Sequence, residues 1–269
     1  MQAFAAHFTF ELRTGIRNKT LLLMNYLFPL SFYLMMGFIM PGINPMFRDV
    51  IVPGMVAFAI LASTLLGMPD PMVNARESGI LRSYKINGIP ALSLIFMPAL
   101  TTMLHLAVVT AIILLTAPLL FDAPMPTNVF VFCLIALLFA YTCAGLAILI
   151  GVVAPNSRMT VLYAQALFLP SMLLGGIMLP YDMLPETAAS VAQLLPVTHA
   201  MNAFKGLAMG GTADFSPMWS VLALFIVGQL AFFLAWYLFS WDGRNSERRG
   251  HPALALLVLL PFVVGIFIV

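Results

Sequence analysis

Residues 86–121 form a run of 36 without Asp, Glu, Lys or Arg. A surface helix of a soluble protein needs a polar face, so charged residues recur along it every few positions. Here they do not recur, and the run is one of several: 20–47, 127–153, 160–179, 217–240 and 251–269 are equally free of charge. Only 8% of the 269 residues are charged, about a third of the share in a soluble domain. That excludes a water-soluble fold and predicts an all-α polytopic membrane protein, because a helix closes its own backbone hydrogen bonds inside the bilayer. At about 20 apolar residues per crossing, the length holds six or seven spans with short loops and no soluble catalytic domain. A net charge of +2, scattered along the chain, is too small for a nucleic-acid binder.

The runs place six spans near 21–40, 50–69, 94–120, 127–153, 160–179 and 217–240, with the tail 251–269 as an additional C-terminal hydrophobic helix. Lys and Arg orient them, since cytoplasmic loops retain basic residues. With a cytoplasmic N-terminus, the basic residues at 13, 17, 19, 76, 82, 85, 158, 244, 248 and 249 share the inner side, ten of the 12 in the chain. Only Arg48 and Lys205 fall outside, while the acidic residues divide evenly. Residues 187–204 are uncharged too, but a crossing there would carry Arg244, Arg248 and Arg249 outside. Pro196 interrupts that segment, and Pro180, Asp182 and Pro185 break the chain before it. It is read as a re-entrant helical pair on the outer face, where His199 and Lys205 meet headgroups or an exit gate.

Phe4, Phe8, Leu12 and Ile16 recur at four-residue steps and form one apolar stripe, the signature of an interfacial helix lying against membrane lipids. The first residues lack the order of a signal peptide. Cys133 and Cys143 face different directions on one helix, so no disulfide is expected, and the four His are too scattered for a metal site. Asn25, His105, Gln165 and Gln229 lie at or within spans, where a hydrogen bond to a neighbouring helix is the expected role. Ala140, Ala144, Ala147 and Gly151 predict close helix packing, and Gly175-Gly176 a bend. The 19 Met and 22 Phe chiefly pack between helices or face lipid.

The segment after the second span is the one that carries chemistry. Arg76, Glu77, Arg82 and Lys85 put four charges into ten residues of a chain that has few. Ile80, Leu81 and Tyr84 share a face at helical spacing, bounded by Gly79 and Gly88-Ile-Pro90. A short helix with apolar knobs ringed by basic groups suits a groove on a soluble partner. The residues alone equally allow an ordinary basic loop.

This segment, Arg76-Glu-Ser-Gly-Ile-Leu-Arg-Ser-Tyr-Lys-Ile-Asn-Gly-Ile-Pro90, resembles the one between spans two and three of permease subunits in the ABC-2 family of ATP-binding-cassette exporters. Leu179-Pro-Tyr-Asp-Met-Leu-Pro185, followed by Leu195-Pro-Val-Thr-His199, is similar to the family's outer re-entrant region, and the resemblance extends over 1–245. The tail departs from the six-helix core, leaving the C-terminus outside if it spans and inside if it lies flat. The resemblance implies a coupling helix seated on a separate ATPase subunit, with Arg76, Glu77, Gly79, Ile80, Leu81, Arg82, Tyr84 and Lys85 as docking residues. It also implies a homodimer of permeases in the plasma membrane with the cargo path between them. ATP and Mg then bind the ATPase subunit and no cofactor binds this chain, which has no Gly-x-x-x-x-Gly-Lys-[Ser/Thr] loop of its own. Export of a drug, antibiotic or lipid-like amphiphile is the implied function.

An ion-coupled secondary transporter and a passive channel are the alternatives. Ion coupling ordinarily needs ionisable residues within the membrane, and the span centres offer only His105. An intramembrane enzyme needs a nucleophile and base at one depth, and no such pairing is legible.

Overall fold

A computed structural model describes residues 19–242 and 250–268, and the described residues form helices and no strands. The stripe Phe4, Phe8, Leu12 and Ile16 lies outside the described residues, as do Arg244, Arg248 and Arg249. The long helices are α1 (Leu23–Ile43) and α2 (Phe47–Glu77), then α4 (Ala91–Phe121), α5 (Val129–Val153) and α9 (Pro217–Leu238). These five are long and apolar enough to cross a membrane. Between them lie α3 (Ile80–Ile86), α6 (Ser157–Leu174), α7 (Glu186–Ala192) and α8 (Pro196–Ala203). A 3-10 segment, Pro252–Leu259, leads into α10 (Leu260–Ile268).

The fifth expected span shifts and shortens. Asn156 caps α6, its side chain accepting the Met159 N–H at 3.0 Å, so the helix starts before Thr160. It stops at Leu174, well short of Leu179, because the chain turns at Gly175 and Gly176. Its 18 residues are about 27 Å long, near the short end of what spans a hydrocarbon core, and it is not among the five helices above. Residues 187–204 form no single long helix: they fold into α7 and α8, and Pro196 sits in the first turn of the second, where its missing N–H costs nothing.

Helix α2 is the axis of the bundle, with 89% of its apolar window buried against α1, α4, α5 and α6. Ala140, Ala144 and Ala147 of α5 are buried, and a Cβ on Gly151 would lie 3.2 Å from the Pro69 carbonyl of α2. The small-residue face of the fourth span therefore does bring two helices close. The most extensive pairing joins α5 to α9, where the Thr142 hydroxyl lies 2.9 Å from the Leu224 carbonyl.

The tail packs along α9. Gly250 packs against Tyr237 and Leu238 at one end of α9, and Gly265 against Trp219 at the other. The tail thus runs antiparallel along the whole of α9, and Phe262 is 1% exposed. Arg48 and Arg76, at the two ends of α2, stand about 42 Å apart on an ideal helix. Arg76, Arg82 and Lys85 mark the basic end of the bundle, and Arg48 and Lys205 the opposite one.

Candidate functional site

At the basic end the chain reverses from α2 into α3 through Gly79, whose φ of 79° only glycine adopts freely, and leaves through Gly88 at φ 73°. The short helix between them is the expected one, but its faces differ from the expected pattern. Ile80, Arg82, Lys85 and Ile86 are exposed, as are Glu77 and Gly79 before them. Leu81 is 4% exposed and Tyr84 half-buried, so both turn into the protein. Ile80, Leu81 and Tyr84 therefore make no common outward face; the exposed apolar groups are Ile80 and Ile86. Ile86 escapes a spacing argument, because six residues on from Ile80 it lies on another side of the helix.

Arg76 departs further from expectation. It is 4% exposed, and its guanidinium faces the end of α5. Nη1 donates to the carbonyls of Gly151 at 3.2 Å and Val152 at 2.8 Å, and Nη2 to that of Ala154. These are carbonyls that a helix C-terminus leaves without intrahelical donors, at the negative end of its dipole. A planar fork with five N–H groups suits three converging acceptors as an ammonium does not. Next to it, Asn74 accepts from the Ser157 hydroxyl at 2.9 Å and donates to Asp70 at 2.8 Å, tying α2 to the start of α6. Arg82 pairs with Asp242 beyond α9 on the surface. The end of α2 that carries α3 is thus bolted to α5 and α6.

At the opposite end, Pro180 and Pro185 bracket a 3-10 turn, Tyr181–Met183, that exposes Asp182. Lys205 Nζ bonds Asp214 at 2.8 Å, and both line a cavity of about 360 Å³ with Asp49. Asn202 links α8 to α9: its amide donates to Phe215 O and Ser220 Oγ, each at 3.0 Å.

His199 does not reach headgroups. It is 1% exposed, stacked on Phe262 of the tail at 4.7 Å and edge-on to Phe215 at 5.3 Å. Its Nε2 lies 2.9 Å from the Gln193 carbonyl, which can only accept, so Nε2 carries the proton. Nδ1 is buried without a hydrogen-bond partner among the described residues. Burial lowers the His199 pKa to about 4, although the Gln193 carbonyl favours the cation. The unfolded chain therefore takes up this proton near pH 6.5 and the folded one only near pH 4. Stability is full above the first value and falls as pH drops toward the second, by about 3 kcal/mol at most. Thermal unfolding in detergent across that window is expected to show the loss, and His199→Gln to flatten it.

Residues 2–209 match the family described as ABC-2 type transporter. The chain belongs to that family. It is also similar to ABC transporter G family member 20 of Dictyostelium discoideum, 24% identical over 197 residues that make up 73% of this chain and 26% of that protein. The chain therefore spans about a quarter of that relative's length. The match to the ABC-2 family covers α1 to α8 with α3 between the second and third long helices, while α9 and the tail lie beyond it. Membership of this family makes the chain the membrane part of a transporter.

Proposed function

We propose that this ABC-2 chain is the permease subunit of an exporter in the plasma membrane, with the N-terminus and α3 in the cytoplasm. A separate ATPase subunit, which binds ATP and Mg, docks on α3. The observation that carries this reading is the form of α3. It is a helix held between two positive-φ glycines, presents Ile80 and Ile86 among Arg82 and Lys85, and is anchored at its base by buried Arg76. Exposed isoleucines ringed by charge have no role inside the protomer, whereas a groove on a soluble partner would bury them. Because α2 fills the centre of the bundle, we assign the cargo path to the interface between two copies. A path between helices whose centres carry no Asp, Glu, Lys or Arg suits a drug, antibiotic or lipid-like amphiphile.

The test is the pair Ile80→Asp and Ile86→Asp in one chain. Both sites are exposed, so the stability of the purified permease should change by no more than about 0.5 kcal/mol. Co-purification with the ATPase subunit and cargo-stimulated ATP hydrolysis are expected to fall more than about tenfold, as when central anchors of an interface are lost. Undiminished co-purification would sink the docking assignment.

A further inference from the structure

Two of the long helices lose their regular winding at the same level. Leu23–Leu27 of α1 and Ala62–Leu66 of α2 are single π turns, packed against each other and joined where Ser63 Oγ donates to the Met24 carbonyl at 3.3 Å. A π turn opens the helix and redirects side chains, and such turns concentrate at functional sites. Beside this pair lies a cavity of about 200 Å³ within the protomer, between α1, α2, α3 and α4. Its polar lining is Asn25, Ser63, Tyr84, Thr101, Thr102 and His105, and no Asp, Glu, Lys or Arg lines it among the described residues. Met68, Met72, Leu94 and Ile148 supply an apolar wall.

Asn25 gives the cavity a direction. It is 4% exposed and makes no side-chain hydrogen bond among the described residues, although its amide offers two donors and an acceptor. Asn25 lines the cavity, so its amide is free to bond whatever occupies that space. His105, by contrast, is held by Tyr26, whose hydroxyl lies 2.7 Å from Nδ1. An occupant with a hydrogen-bonding head would complete Asn25, and its apolar body would lie on the Met and Leu wall. A charged head would meet no countercharge and lose its hydration.

We propose that this cavity is a binding site, distinct from any path between two copies, for a small uncharged amphiphile whose head is an amide or hydroxyl. The inference does not rest on the ATPase reading. Leu81 and Tyr84 of α3 also line the cavity, so the occupant touches the helix that bears the exposed isoleucines.

The test uses the full chain in phosphatidylcholine nanodiscs, with empty nanodiscs as the blank. Three probes of one shape are compared at neutral pH: benzamide, benzoate and benzylammonium. Saturable benzamide binding above the blank is expected, with the two charged probes weaker by about tenfold or more. Asn25→Leu is expected to weaken benzamide binding about tenfold, the usual effect of one buried hydrogen bond to a group left unpaired. Should that variant fail to insert, Ala75→Phe fills the same cavity and is expected to abolish binding. Gln229→Leu, exposed on α9, should leave binding unchanged. The proposal is overturned if benzamide only partitions as into empty discs, which would mean that water alone fills the cavity. Equal binding of the charged probes, or unchanged binding by Ala75→Phe, would overturn it too.

Discussion

Replacing Arg76 by leucine is expected to destabilise the folded chain by about 3 kcal/mol, a large fraction of a typical domain's stability. The shorter apolar side chain would fill part of the space but leave the carbonyls of Gly151, Val152 and Ala154 without their donors. Each buried acceptor left unpaired costs about 1–3 kcal/mol, and relaxation keeps the three from adding fully. Arg76→Lys should recover only part of the loss, since one ammonium cannot span three acceptors with the geometry of the fork. Arg82→Ala is the matched control: Arg82 is also a cation at this end, but its side chain is 60% exposed in its pair with Asp242. Its removal should cost no more than about 1 kcal/mol. Thermal or denaturant unfolding of the three variants in one detergent decides the matter. If Arg76→Leu were no less stable than Arg82→Ala, Arg76 would not be the bolt between α2 and α5.

A comparable loss is expected from Gly175→Leu, where the chain leaves α6 for the segment that leads to α7 and α8. The first atom of any side chain there would lie 2.0 Å from Val197 Cγ1 and 2.4 Å from the Ser171 carbonyl. Val197 is fully buried at the start of α8, and α8 is pinned to α9 through Asn202, so it has nowhere to go. Overpacking of this kind costs about 3 kcal/mol at the upper end of the usual range. The neighbouring Gly176→Ala should be milder. Its Cβ would find ordinary contact with Met201 at 3.4 Å, so the cost is that of φ +86° for a residue with a side chain, about 1–2 kcal/mol. Unfolding midpoints ranked wild type, Gly176→Ala, Gly175→Leu would bear this out. Equal midpoints for the two variants would show that the turn between α6 and α8 yields freely.

The two sites differ in how far residue types announce them. Gly176 and Gly79 are legible as breaks because a turn with positive φ leaves few alternatives to glycine. Pro196 announces the start of α8 for a similar local reason. Arg76 is not legible in this way. Next to Glu77, Arg82 and Lys85 it reads as one more surface charge, and only its distance of 78 residues in sequence from Ala154, closed by the fold, makes it a helix cap. His199 and Leu81 fail for the same reason: each is covered by a segment remote in the chain or by a cavity wall that spacing does not reveal. The π turns give no periodic signal, since each alters the register within an otherwise apolar run.

Charge scarcity by itself determined that this chain is a bundle of membrane helices, and glycine, proline and charge spacing determined where the short helix after the second span lies. Those are local matters of hydration and backbone geometry. Tertiary structure alone decided which residues of that helix face outward, that Arg76 holds α5, that His199 is sealed under the tail, and that Asn25 opens on a cavity. Each of these depends on which distant segment supplies the partner, and composition carries no record of that.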